Sequence, residues 1–126
     1  MTTTHMRVGS VVLDCADAGE LASFYSRLLG WPDPRVDEDG SWADLANPEG
    51  GIGLSFQRAI VYRPPSWPDP DVPQQIHMDI QVDDLEAGQA HALEVGARLV
   101  DDQGMKATGF RVYTDPAGHP FCLFTD

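Results

Sequence analysis

The hydrophobic pattern of the chain changes period as it runs from strand-like to helix-like segments. Residues 7–15 are rich in β-branched side chains and residues 52–57 alternate apolar with polar positions, which is typical of strands. Between them, one helical face is predicted by the spacing of Leu21, Phe24, Tyr25, Leu28 and Leu29. Asp17 and Glu20 form a capping box that starts this helix, and Gly30 ends it.

Further elements follow the same reasoning. Strands are predicted at residues 41–46, 76–82, 98–100, 110–114 and 120–124, and residues 60–62 are a candidate for one more. A second helix begins after Asp83-Asp84 and ends at Gly96, with Leu85, Ala87, Ala90 and Leu93 as its apolar positions. Residues 64–73 contain five prolines, which exclude a helix or a central strand and predict an extended linker.

The second half of the chain repeats the first. Matching the apolar faces of the two opening strands pairs Val11 with Met78 and Ser10 with His77, an offset of 67 residues. The helix-ending glycines are only 66 apart, so the second helix should be one residue shorter. We keep 67 for the strands because a slip of one residue would turn their apolar side chains out of the core.

The repeat predicts an α+β fold of two βαβββ modules within one domain. Module one covers residues 7–63, the proline-rich linker residues 64–74, and module two residues 75–126.

Charge and composition narrow the possible partners and location. The net charge of −12 argues against nucleic acid and against anionic membranes. The N-terminus lacks the apolar core of a signal peptide and no apolar stretch is long enough to cross a membrane. We therefore expect a cytoplasmic protein in which Cys15 and Cys122 are reduced thiols.

Several segments together resemble the vicinal oxygen chelate superfamily of glyoxalases, bleomycin resistance proteins and extradiol dioxygenases. They are residues 11–17, 24–30, 77–85 and 115–121, and residues 67–75 resemble a glyoxalase-like subgroup common in actinobacteria. The resemblance covers essentially the whole chain. It implies that the modules form a curved mixed sheet with helices on its outer face and a concave ligand cavity, and that the protein is a homodimer.

In metal-using relatives, four side chains inside the curved sheet hold a divalent cation, two from each module. The resemblance places these positions on Ser10, Gly53, His77 and Cys122, with Ser55 or Gln57 as alternatives to Gly53. Only His77 matches the usual ligand type, and both expected glutamates are missing. We therefore expect no cofactor and no hard-metal site, while a divalent metal at His77 stays a minor alternative. A soft metal on His77 and Cys122 would need further ligands.

Strand alternation then selects the candidate site residues. The face turned away from the helices should carry Ser10, Asp14, Ser55, Gln57, His77, Asp79 and Cys122. His77 and Asp79 share this face and are candidates for acid–base chemistry, although a buried structural histidine explains His77 equally simply. For Cys122, an inert apolar thiol is the simpler interpretation. Arg111 is the candidate partner for an anionic ligand.

Three functions are compatible with this sequence. The missing carboxylates favour a metal-free protein that binds a small molecule. The alternatives are a glyoxalase-like lyase, isomerase or dioxygenase with an altered metal site, and a structural or regulatory homodimer.

Overall fold

A computed structural model describes residues 5–66, 71–101 and 109–125, with the side chain of Asp101 left out. The chain divides into two compact units, Met1–Ile60 and Val61–Asp126. In the described part of the chain, no helix is both long and apolar enough to span a membrane.

The first unit is a four-stranded mixed sheet with one helix. Its elements are β1 (Ser10–Cys15), α1 (Ala18–Leu29), β2 (Arg35–Val36), β3 (Trp42–Leu45) and β4 (Gly53–Arg58). The strand order is β1-β4-β3-β2, with β1 parallel to β4 and the other pairs antiparallel.

The helix α1 begins and ends where the sequence predicted. The Asp17 side chain accepts a hydrogen bond from the backbone N–H of Glu20, and Gly30 ends the helix with the left-handed φ of 69° that glycine tolerates. Phe24 and Tyr25 are fully buried, and the Tyr25 ring stacks on Phe56 of β4. This contact shows which face of the first sheet is turned toward α1.

The second unit repeats this arrangement. It contains β5 (Met78–Gln81), α2 (Leu85–Val95), β6 (Arg98–Asp101), β7 (Phe110–Thr114) and β8 (Pro120–Phe124). The strand order is β5-β8-β7-β6, with β5 parallel to β8. The α+β class and the two βαβββ modules are therefore confirmed, with one four-stranded sheet in each module.

The predicted repeat register is also confirmed. Val11 pairs with Leu54 in the first sheet, and Met78 pairs with Phe121 in the second. Met78 follows Val11 by 67 residues, and Phe121 follows Leu54 by the same 67. The helix α2 has 11 residues against 12 in α1, as the shorter spacing of the glycines predicted.

Two local predictions were wrong, and one strand was missed. Residues 60–62 form no strand, and both Ile60 and Val61 are largely exposed. The short strand β2 was missed, because its two residues, Arg35 and Val36, are too few to show a period. The buried side of α2 contains Ala92, while Leu93 is 42% exposed.

The shift of the α2 face has a physical cause. This helix lies close to the rest of its unit at Gly88, where a β-carbon would lie 3.2 Å from a methyl group of Val82 and 3.4 Å from one of Leu123. Gly88 therefore lies on the face of α2 that contacts the rest of the unit. A pattern that counts only larger apolar residues does not include glycine and predicts a different face.

The start of the predicted linker is fixed to the second unit. The Tyr62 hydroxyl donates a 2.7 Å hydrogen bond to the Ala117 carbonyl in the turn between β7 and β8. Nearby, Pro64 lies against Gly118. The first residues of the segment therefore pack on the turn.

The prediction of an extended linker was wrong, because the backbone N–H of Ser66 donates a 2.7 Å hydrogen bond to the Val72 carbonyl and the Val72 N–H donates back to the Ser66 hydroxyl at 2.8 Å, which brings residues six apart together. Residues 67–70 of the linker lie outside the described residues.

Candidate functional site

Three of the predicted site residues meet on one face of the second sheet. Asp79 of β5 pairs directly with Cys122 of β8, and His77 lies two residues before Asp79, at the entry to the strand. The His77 Nε2 and Asp79 Oδ1 atoms are 3.1 Å apart. One donor atom from each of the three side chains lies within 4.8 Å of the other two.

This cluster lies on the face of the sheet opposite α2. Leu123, the neighbour of Cys122 in β8, is the side chain that approaches Gly88 of α2, so alternation turns Cys122 the other way. Val112 pairs with Cys122 and shares its face. The site is thus a small polar group beside an apolar side chain, with His77 and Asp79 exposed and Cys122 buried.

The surroundings of Cys122 keep its thiol protonated. Burial, the negative charge of Asp79 and a hydrogen bond with Asp79 raise the pKa of this thiol to about 11. Because the thiolate is the nucleophilic form, the metal-free site at neutral pH offers a weak hydrogen-bond donor rather than an activated nucleophile.

We expect alkylation of Cys122 by iodoacetamide to be slow at pH 8 and to rise with pH until about pH 11, following the thiolate. The measurement uses a Cys15→Ser variant, in which Cys122 is the only cysteine. Asp79→Asn should move the profile to lower pH, since it removes the neighbouring charge. A profile centred near the ordinary thiol value of about 8.5 would contradict this description of the site.

A second polar group lies on the corresponding face of the first sheet. The Ser55 hydroxyl is 3.3 Å from the Ser10 hydroxyl and donates a 2.8 Å hydrogen bond to Asp44 Oδ1. The Trp42 indole N–H donates to the same carboxylate oxygen at 2.8 Å, and Arg35 donates to Asp44 Oδ2 at 2.6 Å. Two predicted residues, Ser10 and Ser55, are therefore in direct contact, and Ser55 is also bound to Asp44, a carboxylate that was not among the predicted site residues.

The Asp44 carboxylate is held ionised. Its partial burial opposes the charge, but the hydrogen bonds from Arg35, Ser55 and Trp42 outweigh that effect and lower its pKa. The sequence did carry a signal for this residue, because Trp42 and Asp44 alternate with the buried Ala43 and Leu45.

The repeat register decides between the alternatives for the first-module position. Subtracting 67 from Cys122 gives Ser55, and the two lie at equivalent places in their ladders. Gly53 does not fit a ligand position, because a β-carbon there would lie 2.9 Å from the Leu45 carbonyl oxygen. Asp14 and Gln57 pair with each other farther along the same face and are exposed.

Arg111, the candidate partner for an anionic ligand, lies on the other face of the second sheet. Its guanidinium donates to Gln89 Oε1 at 2.9 Å and to the Glu86 carboxylate, both on α2. Arg111 pairs with Leu123 in the β7–β8 ladder, which is the helix side of the sheet. The side chain is 5% exposed, and the ion pair with Glu86 raises its pKa. Arg111 thus joins α2 to the sheet on the face opposite Cys122.

The donor set tests whether a cation would fit. The first module offers the serine hydroxyls of Ser10 and Ser55 at the positions expected for ligands, which are poor partners for a divalent cation. In the second module His77, Asp79 and Cys122 supply an imidazole nitrogen, a carboxylate oxygen and a sulfur. An oxygen-rich site for a hard cation does not fit these positions, whereas the mixed set fits a borderline cation.

The two βαβββ modules are the arrangement that the vicinal oxygen chelate superfamily uses, and the family comparison agrees. A model of the glyoxalase-like domain family matches residues 10–124, and the chain belongs to this family. No curated protein sequence matches it.

Solved structures share the fold at low sequence identity. A possible glyoxalase from Bacillus cereus is 13% identical, with a TM-score of 0.68 and coverage of 95% of this chain and 99% of that one. The fosfomycin resistance protein FosX from Mesorhizobium loti is 10% identical, with a TM-score of 0.69 and coverage of 98% and 94%. TnmS3, an antibiotic-binding protein from Streptomyces sp. CB03234, is 17% identical, with a TM-score of 0.63 and 98% coverage of both chains.

Proposed function

We propose that this protein binds a small organic molecule on the sheet faces turned away from its helices, without the help of a hard divalent cation. The observation that carries the proposal is the group formed by His77, Asp79 and Cys122. It places a few hydrogen-bonding groups of different kinds beside the apolar Val112, and such a combination orients small ligands.

The first sheet supports the same proposal. Both carboxylate oxygens of Asp44 accept hydrogen bonds, from Ser55, Trp42 and Arg35. The carboxylate therefore fixes these side chains and does not serve as a cation ligand. A preorganised polar group of this kind lowers the entropy that a ligand must lose on binding. Neither equivalent position, Ser10 or Ser55, offers the carboxylate that a hard cation would need.

Two of the related structures are named for small molecules. TnmS3 is described as an antibiotic-binding protein and FosX as a fosfomycin resistance protein. Because the chain shares their fold, compounds of antibiotic size are a sensible first ligand class for this protein.

The proposal is tested with chelator-treated protein and a panel of aromatic and amphipathic antibiotics, using thermal shift followed by calorimetry. We expect at least one compound to bind, and His77→Ala to weaken its affinity by about tenfold, the equivalent of one lost hydrogen bond of about 1.4 kcal/mol. His91→Ala is the matched control, since His91 is exposed on α2. Equal affinities in wild type and His77→Ala would remove His77 from the binding site.

An enzyme with an altered metal site is the second candidate function, favoured by the three donors that meet in the second module. His77, Asp79 and Cys122 would hold the cation, which would supply a Lewis acid that polarises a substrate oxygen. Turnover that appears only after metal is added back to chelated protein would favour this candidate.

Two narrower expectations stay predictions. The resemblance implies a homodimer, which light scattering of the purified chain would detect, and the sequence predicts a cytoplasmic location.

A further inference from the structure

We propose that His77, Asp79 and Cys122 form a binding site for a thiophilic divalent cation of the zinc and cadmium class, built within the second module alone. The inference goes beyond the proposed function, which needs no cation at these residues, and it gives the second candidate function a cation class.

The backbone already brings the three donors together. Because Asp79 and Cys122 are direct partners in the β5–β8 ladder, their side chains leave the sheet side by side. His77 precedes Asp79 by two residues and keeps its Nε2 atom 3.1 Å from the carboxylate. A cation would thus draw in donors that are within 4.8 Å of each other, with no rearrangement of the fold.

Exposure divides the roles of the three residues. The side chains of His77 and Asp79 are 39% and 60% exposed, so a cation can reach them from solvent and their side chains can adjust to it. Cys122 is buried and fixed within a strand. The sulfur therefore supplies the fixed ligand, and the two exposed side chains adjust to it. When the cation–sulfur bond forms, the S–H bond breaks and the proton passes to solvent.

The chemistry of the donors selects the cation. Sulfur, imidazole nitrogen and carboxylate oxygen are the three ligand types that zinc uses, and zinc sites with three protein ligands leave a fourth position open. Magnesium and calcium prefer oxygen ligands throughout, and the single carboxylate here is too little for either. Sulfur shifts the preference toward zinc and cadmium.

The site differs from the arrangement that the resemblance implies. There, each module supplies two ligands, whereas here the third donor is Asp79, which lies outside the carried-over positions and next to His77 on the same strand. The proposed site needs no donor from the first module, whose equivalent positions are the serines Ser10 and Ser55.

The test is a titration of the full-length, chelator-treated protein with Cd²⁺, followed by the ultraviolet charge-transfer absorption of the cadmium–sulfur bond. We expect a band that saturates at one cadmium per chain and withstands a large excess of Mg²⁺. Cys15→Ser, the matched thiol control, should keep the band, and Cys122→Ser should lose it. Asp79→Asn should weaken binding at least about tenfold, since even the outer partners of metal ligands cost that much.

Several outcomes would overturn the inference. They are no saturable band in the wild-type protein, a band that survives in Cys122→Ser, or equal affinities in Asp79→Asn and wild type. Asp79 is exposed, so its substitution keeps the test valid even if Cys122→Ser fails to fold. Ligand binding by chelated protein is measured separately, so a failure of this inference leaves the proposed function standing, and the reverse also holds.

Discussion

Replacing Asp115 with alanine is expected to destabilise the protein by about 3 kcal/mol, the largest effect predicted for a single polar residue here. The Asp115 side chain is fully buried. One carboxylate oxygen accepts hydrogen bonds from the backbone N–H groups of Ala117 and His119, at 2.9 and 3.0 Å, and the other lies 2.8 Å from His119 Nδ1. Alanine would leave these donors without an acceptor, and each unsatisfied buried donor costs about 1–3 kcal/mol. Urea denaturation measures the change in the free energy of unfolding.

Asp115→Asn is the matched control. The asparagine amide oxygen can still accept from the two backbone N–H groups. We therefore expect Asp115→Asn to lose less than half as much free energy of unfolding as Asp115→Ala. Equal losses in the two variants would show that the charge, and not the turn hydrogen bonds, is what matters at this position.

Replacing Gly118 with alanine is expected to cost about 2 kcal/mol, from a strained backbone and a steric clash together. Gly118 has a φ of 91°, and a β-carbon there would lie 2.8 Å from the β-carbon of Pro64. Both effects act on the native state, so the loss should appear in chemical and thermal unfolding alike.

Gly30→Ala separates the two contributions. Gly30 has a φ of 69°, but a β-carbon there would meet nothing within 4 Å, so it reports the backbone strain alone and should cost about 1 kcal/mol. Alanine at residue 64 would keep the β-carbon that clashes with the new methyl group at residue 118. A Pro64→Ala, Gly118→Ala double variant should therefore relieve the clash only if the backbone at residue 64 also moves away. If Gly118→Ala were no more costly than Gly30→Ala, Pro64 would not lie against the turn.

Asp115 and Gly118 matter for the candidate site because they define the turn between β7 and β8. Asp115 and Gly118 set where β8 begins, and the register of β8 places Cys122 beside Asp79. Tyr62 strengthens the same turn from the linker, with its hydroxyl 2.7 Å from the Ala117 carbonyl and 3.3 Å from His119 Nε2. The linker thus supports the strand that carries the buried thiol.

Where the sequence carried a strong period, it predicted the structure closely. The strands β7 and β8 have the predicted bounds, and α1 lies between the predicted capping residue Asp17 and Gly30. The repeat offset of 67 could be found because a strand has a period of two and a wrong register would expose its apolar face. The same offset places Ser10 and His77 at equivalent positions.

The remaining features depend on contacts that no local pattern records. Alternation in β3 separates Asp44 from the buried Ala43 and Leu45, but only the β3–β4 ladder shows that Asp44 lies opposite Ser55. Arg111 was the candidate partner for an anionic ligand, yet its guanidinium donates to Glu86 and Gln89 of α2. Tertiary contacts thus set the role of both residues. They place Asp44 in the candidate site, and they bind Arg111 to α2.

The most direct test of the central claim is the affinity of the best ligand from the panel, measured by calorimetry on chelator-treated protein and again after addition of Mn²⁺. If the sheet faces bind a small molecule through their own polar groups, the two dissociation constants should agree within about twofold, well below the factor of ten that 1.4 kcal/mol represents. Binding that is absent from the chelated protein and restored by Mn²⁺ would contradict the account and establish a metal-dependent site.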